Sequence, residues 1–286
     1  MKKFIVNVVL FGLLLLLINV VFYFVAYNKY YKDYEKYDLN YDSYLLADSH
    51  GTPIGTQLEK YGIYNFSAAS DSYFDMLIKI KYLIKHTNLE RIFITVDDHT
   101  LSPYRENTNN LERSSYFIIS EDYSNVFKGI GIKLDKFLVL LNPGIRGIIR
   151  SYFQSMVLTT KVSINWNLLT PEEQNISAQS RFIEQFNYEN KSEQLTETLI
   201  RIIELCKENN IEIIGIQFPL SEVYFAKIGD KSFGANAIFK KNQLKVYDYR
   251  ELFFKHDDFF MNQGHLNEIG SKEFVKSYLT ELITIK

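Results

Sequence analysis

The feature that most constrains this chain is a repeated stop. Apolar runs rich in β-branched and aromatic residues end abruptly on small or acidic residues, and helical spacing then resumes. Tyr44-Leu-Leu-Ala47 stops at Asp48-Ser49, and the turn that follows predicts a helix near Pro53. Ile63-Tyr-Asn-Phe66 gives way to Ser67-Ala-Ala-Ser70, and Arg91 to Val96 ends in Asp97-Asp98-His99. Ile211 to Gln217 runs into Phe218-Pro219, and Leu244 to Tyr247 makes another short strand. Helical spacing covers Asp71 to His86, Glu193 to Asn209, and Asn267 or Glu268 to Leu282. Alternation of this kind predicts a parallel sheet with helices on both faces. In such sheets ligands sit at the carboxyl ends of strands, and helix N-termini favour anions. Ser49 is therefore either a site hydroxyl or a helix N-cap, and its own stretch leaves both readings open.

Before this pattern comes a different signal. Lys2-Lys3 precede an apolar run from Phe4 to Ala26, interrupted only by Asn7, Gly12 and Asn19. As helix it spans roughly 35 Å, enough to cross a bilayer. A cleavable signal peptide has a shorter apolar region and a small-residue cleavage site, so an uncleaved anchor over residues 1–26 is expected. The flanking lysines put the N-terminus in the cytoplasm and the main domain outside. Tyr23, Tyr27, Tyr30 and Tyr31 fit an interfacial aromatic belt. Residues 27–43 then form a polar, tyrosine-rich connector.

The remaining length, residues 44–286, suffices for one sizeable α/β domain. Hydrophobic residues make up 47% of the chain, which excludes global disorder. A net charge of -2 argues against a nucleic-acid partner. Cys206 is the single cysteine, so neither a disulfide framework nor a multi-cysteine metal site is possible. Residues 101–190 read as an insertion. Within it, two helix-like stretches in Ser124–Thr160 are broken at Asn142-Pro143-Gly144. The expectation is a helical subdomain over the sheet; the alternative is a surface that meets a membrane or an integral-membrane partner.

The second chemical signal lies near the other end, in Asn262-Gln-Gly-His265-Leu266-Asn267-Glu-Ile-Gly270. A histidine there precedes the last helix, with an amide three residues before it. A serine hydroxyl is a weak nucleophile until a base takes its proton, and a histidine suits that task near neutral pH.

Asp48-Ser49 after the first strand, taken with His265-Leu266-Asn267…Gly270, resembles the SGNH (GDSL-like) hydrolase superfamily. The likeness is nearest to membrane-anchored members that act on bacterial cell-envelope polysaccharides. It covers roughly residues 43–100 and 192–284. It implies a flavodoxin-like three-layer α/β sandwich with a parallel central sheet, Ser49 as nucleophile and His265 as base. It also implies no cofactor and no metal.

Three positions depart from the family pattern. Ala47 stands where a glycine is usual. Asn262 stands where an aspartate usually orients the histidine. An amide oxygen can still accept from the ring, as in Cys-His-Asn enzymes. The family's oxyanion donors, a glycine after strand two and an asparagine after strand three, fall on Ala68-Ala69-Ser70 and on Asp97-Asp98-His99. A backbone N–H of Ala69 or Ser70 can serve. An aspartate at position 98 would repel an oxyanion, whereas His99 could donate to it. Asp97-Asp98-His99 could instead hold a divalent cation or merely cap a loop.

The resemblance thus implies an esterase or O-acyltransferase removing or passing on acyl groups, acetyl above all, of an exported or envelope polysaccharide. The apolar segment over residues 1–26 puts the protein in the bacterial cytoplasmic membrane as a single-pass protein, and that anchor with the apolar insertion leans toward transfer beside an integral-membrane acyl donor. The alternative is a glycan-binding or assembly module with a weakened triad.

Overall fold

The computed structural model describes residues 1–119, 137–139, 141, 150 and 165–279. The helix-like stretches expected within Ser124–Thr160 lie almost wholly outside these.

The elements follow the sequence in order: α1 (Lys2–Ala26), β1 (Ser43–Leu46), β2 (Ile63–Asn65), α2 (Tyr73–His86), β3 (Arg91–Thr95) and α3 (Pro171–Phe186). Then come α4 (Glu193–Glu208), β4 (Glu212–Gln217), α5 (Glu222–Ile228), α6 (Ala235–Lys241), β5 (Val246–Asp248), β6 (Phe260–Asn262), β7 (His265–Leu266) and α7 (Glu268–Phe274). Strands β1 to β5 form one sheet in the order β2-β1-β3-β4-β5, with every pair parallel. This is the flavodoxin-like order, and its strand order reverses between β1 and β3. The expected α/β class and parallel central sheet are therefore what the chain forms.

Near-continuous apolar strands are buried on both faces, as parallel sheets require. Leu45, Phe93, Ile214 and Ile216 pack with Ile54 and with Phe274 of α7 on one face. The alternate residues Tyr44, Leu46, Ile92, Ile94 and Ile213 are buried as well, on the other face, where α2 packs beside α4. A capping box starts α2, with Ser72 as N-cap and Asp75 reaching back to the Ser72 backbone. No α-helix forms near Pro53. Thr52–Ile54 is a single 3₁₀ turn, and Glu59–Tyr61 is another. Gly55 and Gly62, both at positive φ, end these turns.

By packing, the chain divides into two units, residues 1–36 with 112–162, and residues 37–111 with 163–286. In the first, α1 is long and apolar enough to cross a bilayer and fits either a single-pass anchor or a signal sequence. Asn19, buried within α1, donates to the Phe137 carbonyl at 2.9 Å. The Arg113 guanidinium lies 4.3 Å from the ring centre of Tyr30 and 4.6 Å from that of Tyr34. The second unit holds the sheet.

Candidate active site

The register carries two acidic strand ends to the same place. Leu46 pairs with Ile94 in β1 and β3. Continued three residues, it sets Ser49 level with Asp97, at the carboxyl edge where the strand order reverses. Beyond β1 the chain turns sharply. The Gly51 N–H donates to the Asp48 carbonyl at 3.1 Å, and the His50 N–H donates to Asp48 Oδ1 at 3.0 Å. Ser49 thus leaves the strand on a tight turn rather than capping a helix.

The hairpin of β6 and β7 supplies the other half. Asn262 Oδ1 accepts from the backbone N–H of Gly264 (3.2 Å) and of His265 (3.1 Å). These two donors fix it as the oxygen, so the third contact, 2.7 Å to His265 Nδ1, has the ring N–H as donor. Nε2 of the neutral ring then carries the lone pair, and Ser49 Oγ lies 2.7 Å from it. Asn267 caps α7 immediately afterwards, accepting from Ile269 and Gly270 N–H at 2.9 Å each. The His-Leu-Asn spacing therefore holds the imidazole between a hairpin and a helix start.

Burial, joined by the positive charge of nearby His50, pushes the His265 pKa down to about 3. Its ring centroid is 4.9 Å from that of His50. His50 is buried, which opposes its charged form, but Asp48 and Asp97 outweigh burial and raise its pKa. His50 Nδ1 lies 2.6 Å from Asp97 Oδ2. Asp97 is anchored in turn by Thr95 Oγ1 (3.0 Å) and the Phe218 N–H (2.8 Å). Asp48 is fully buried, yet His50, His99 and Arg105 around it hold its carboxyl well below the usual range. His99 Nε2 is 3.2 Å and the Arg105 guanidinium 3.7 Å from Asp48 Oδ2. Burial pushes the His99 pKa down. A buried, charge-balanced cluster thus lies directly behind Ser49.

The other residues expected at the site divide. Ser70 has φ 72, the left-handed region that a glycine would favour. Its N–H and that of Ser49 make no hydrogen bond among the described residues. The loop around it is pinned, because Asn110 Nδ2 donates to the Ala69 carbonyl and to Asp71 Oδ1, both at 2.7 Å. Asp98 is not brought to Ser49. Its carboxylate pairs with Arg250 Nη1 at 2.6 Å and faces a different cleft. His99 is buried against Asp48. Asp97, Asp98 and His99 therefore turn to three different partners, His50, Arg250 and Asp48, and do not converge as a ligand set. Asp48, His50 and His99 do bring donor atoms within 4.8 Å of one another. That set suits zinc or a similar ion, but His99 already bonds the carboxylate and Arg105 stands beside it.

His50 escapes a reading of the sequence, and Asp97 reads there only as a possible cation ligand or loop cap, although Asp-Ser-His and Asp-Asp-His at two strand ends are the visible trace. Also missed is Arg181 on α3, close enough to oppose the charging of both His50 and His265.

No family model matches the sequence, and no curated protein matches it. Several solved structures are similar at low identity. A Bacteroides fragilis protein described as an acylhydrolase is 9% identical, with a TM-score of 0.41 over 90% of this chain and 94% of its own. A GDSL-like lipase from Bacteroides thetaiotaomicron is 9% identical, with a TM-score of 0.42 over 91% of this chain and 98% of its own. An acetyl xylan esterase is 8% identical, with a TM-score of 0.37 over 84% of this chain and 99% of its own.

Proposed function

We propose that the protein is a membrane-anchored SGNH-type serine esterase or O-acyltransferase. The observation that carries this reading is the aligned relay Ser49 Oγ to His265 Nε2, 2.7 Å, and His265 Nδ1 to Asn262 Oδ1, 2.7 Å. Ser49 Oγ attacks an ester carbonyl while its proton passes to His265 Nε2. The tetrahedral oxyanion is met by backbone N–H groups of Ser49 and of the Ala69-Ser70 loop. The C–O bond to the alcohol then breaks, His265 returns the proton to the leaving oxygen, and the acyl group stays on Ser49. Water completes hydrolysis; a second alcohol completes transfer.

The sequence resemblance supports acyl groups of an exported polysaccharide as substrate. The apolar segment at residues 1–26 supports attachment to a bacterial cytoplasmic membrane, with residues 27–43 as connector and the domain from 44 outside. An integral-membrane acyl donor suits the transferase form. A second reading, a glycan-binding module with a weakened triad, is favoured by Asn262 in the acid's place and by the low basicity of His265.

A fluorophosphonate probe on the detergent-solubilised full chain tests the reading. Labelling of wild type, lost in Ser49→Ala and reduced at least about a hundredfold in His265→Ala, supports the enzyme. Absence of labelling in wild type sinks it in favour of the binding module.

A further inference from the structure

Helix α3 has two faces of opposite character. Ala178 and Phe186, with partly buried Phe182, pack against Leu220, Tyr224 and Ile228. Ser177, Ser180, Arg181 and Glu184, spaced three or four residues apart, share another face. That face forms one wall of a cleft of about 400 Å³, and Asn262, Gln263 and His265 form the other. The cleft therefore opens on the histidine of the relay.

Its chemistry is specific. Ile176 is the one apolar residue in the lining. Arg181 is neutralised by Glu184 at 2.7 Å. In the Gln185 amide orientation that satisfies both its atoms, the Gln185 oxygen accepts from Arg181 Nε (3.2 Å) and Nη2 (3.0 Å). Ser177 Oγ donates to Gln263 Oε1 at 3.1 Å. The walls thus offer hydroxyls, amides and a carboxylate with little net charge. Ile176 alone is too small an apolar patch to hold an acyl or prenyl chain. A phosphate or carboxylate finds an arginine already committed. Groups that both donate and accept, as sugar hydroxyls do, are matched.

We infer that this cleft binds the alcohol half of the ester, and that this half is a neutral, polyhydroxylated glycan. The inference rests on the Ser49–His265 reading. His265 must return its proton to the departing alkoxy oxygen, so the alcohol lies on the His265 side of the scissile bond. In transfer, the acceptor hydroxyl occupies the same cleft and gives its proton to Nε2 as it attacks the acyl carbon. Arg181 and Glu184 are then specificity residues.

The test uses the full chain carrying Ser49→Ala, which cannot turn over, in a sugar-free detergent. Saturation-transfer NMR and calorimetry are run with maltohexaose, xylohexaose and diacetylated chitohexaose, and with dodecyl phosphate and palmitate as contrasts. At least one neutral oligosaccharide should bind, and Glu184→Ala should weaken it about tenfold. Ser180→Trp, at an exposed position, should fill the cleft and abolish binding while the thermal melt is unchanged. Binding of no sugar, sugar binding indifferent to both substitutions, or preference for dodecyl phosphate or palmitate overturns the inference. Fluorophosphonate labelling of wild type is read in parallel. Labelling without sugar binding overturns the cleft assignment and leaves the esterase. Sugar binding without labelling overturns the alcohol-half assignment by removing the ester chemistry beneath it.

Discussion

At the scale of single residues, the decisive position is Asn262. Replacing the triad acid by asparagine in a serine protease costs about 10⁴ in rate, because the wrong imidazole tautomer results. Here two backbone N–H groups orient Oδ1 toward the ring, so the productive tautomer is kept. The amide nitrogen makes no hydrogen bond among the described residues, so only its oxygen is used. Asn262→Asp should therefore be accommodated, and its charge should favour the imidazolium. With His265 held down to about 3, wild-type labelling should stay flat as pH falls from 7 and decline only near that value. In the aspartate variant the acid limb should move up, and the rate at neutral pH should rise about tenfold or more. An unmoved limb, or a large loss, would show that the hairpin is built for the amide. The same shift bears on stability. Below pH 6.5 the unfolded chain binds a proton at this histidine more readily than the folded one. Its contribution is complete above 6.5 and is lost as pH falls toward 3. His50, shifted upward, acts in the opposite sense, and its contribution is lost as pH rises through its raised value. Ser49, His265 and Asn262 stand out in the sequence through the family resemblance, since the strand pattern alone leaves Ser49 open between a site hydroxyl and a helix cap. His50 was not, because the Asp97 that gives it meaning lies 47 residues away.

At the scale of elements, the turn after β1 is held by space rather than by unusual backbone. Gly51 has φ -79, open to any residue. A Cβ there would lie 2.7 Å from the Ala47 Cβ and closer still to Ser67 Oγ. Gly51→Ala should therefore push β1 and the Ser67 loop apart at about 1–3 kcal/mol. A melting temperature lower by several degrees, with slower labelling of Ser49, is the expected result; an unchanged melt would mean the loop yields freely. The strands were legible because β1, β3 and β4 are short apolar runs bounded by polar residues. Their observed limits, Ser43–Leu46, Arg91–Thr95 and Glu212–Gln217, fall within a residue of the pattern. The helix expected near Pro53 was not formed. Proline there begins a 3₁₀ turn, and Gly55 at φ 55 closes it before a second turn can propagate. Helices α5 and α6, seven residues each, carry too short a period to be seen beforehand.

At the scale of the whole molecule, the apolar helix α1 and the Ser49–His265 relay belong to different units. Ser49, His265, Asn262 and the α3 cleft all lie within residues 37–111 and 163–286. The other unit contains α1, whose apolar side chains from Phe4 to Phe24 are largely exposed. It also contains Phe117 and Val139, which are buried beside the segment that follows α1. Val139 clusters with Ala26 and Tyr31, and Phe117 meets the Tyr34 ring. Deleting residues 1–26 alone would strip Val139 of Ala26 and leave the Phe137 carbonyl without the Asn19 amide. That product should still sediment with membranes or aggregate. A chain of residues 37–111 joined to 163–286 by a short Gly/Ser linker keeps the sheet, the relay and the α3 cleft. It should stay in the supernatant after ultracentrifugation and still label at Ser49, while the full chain resists carbonate extraction from membranes. If deletion of residues 1–26 alone gives an equally soluble and reactive protein, the apolar helix is an appendage and the 112–162 segment belongs with the sheet. If the linked chain is insoluble, the division into an anchoring unit and a chemical unit is wrong.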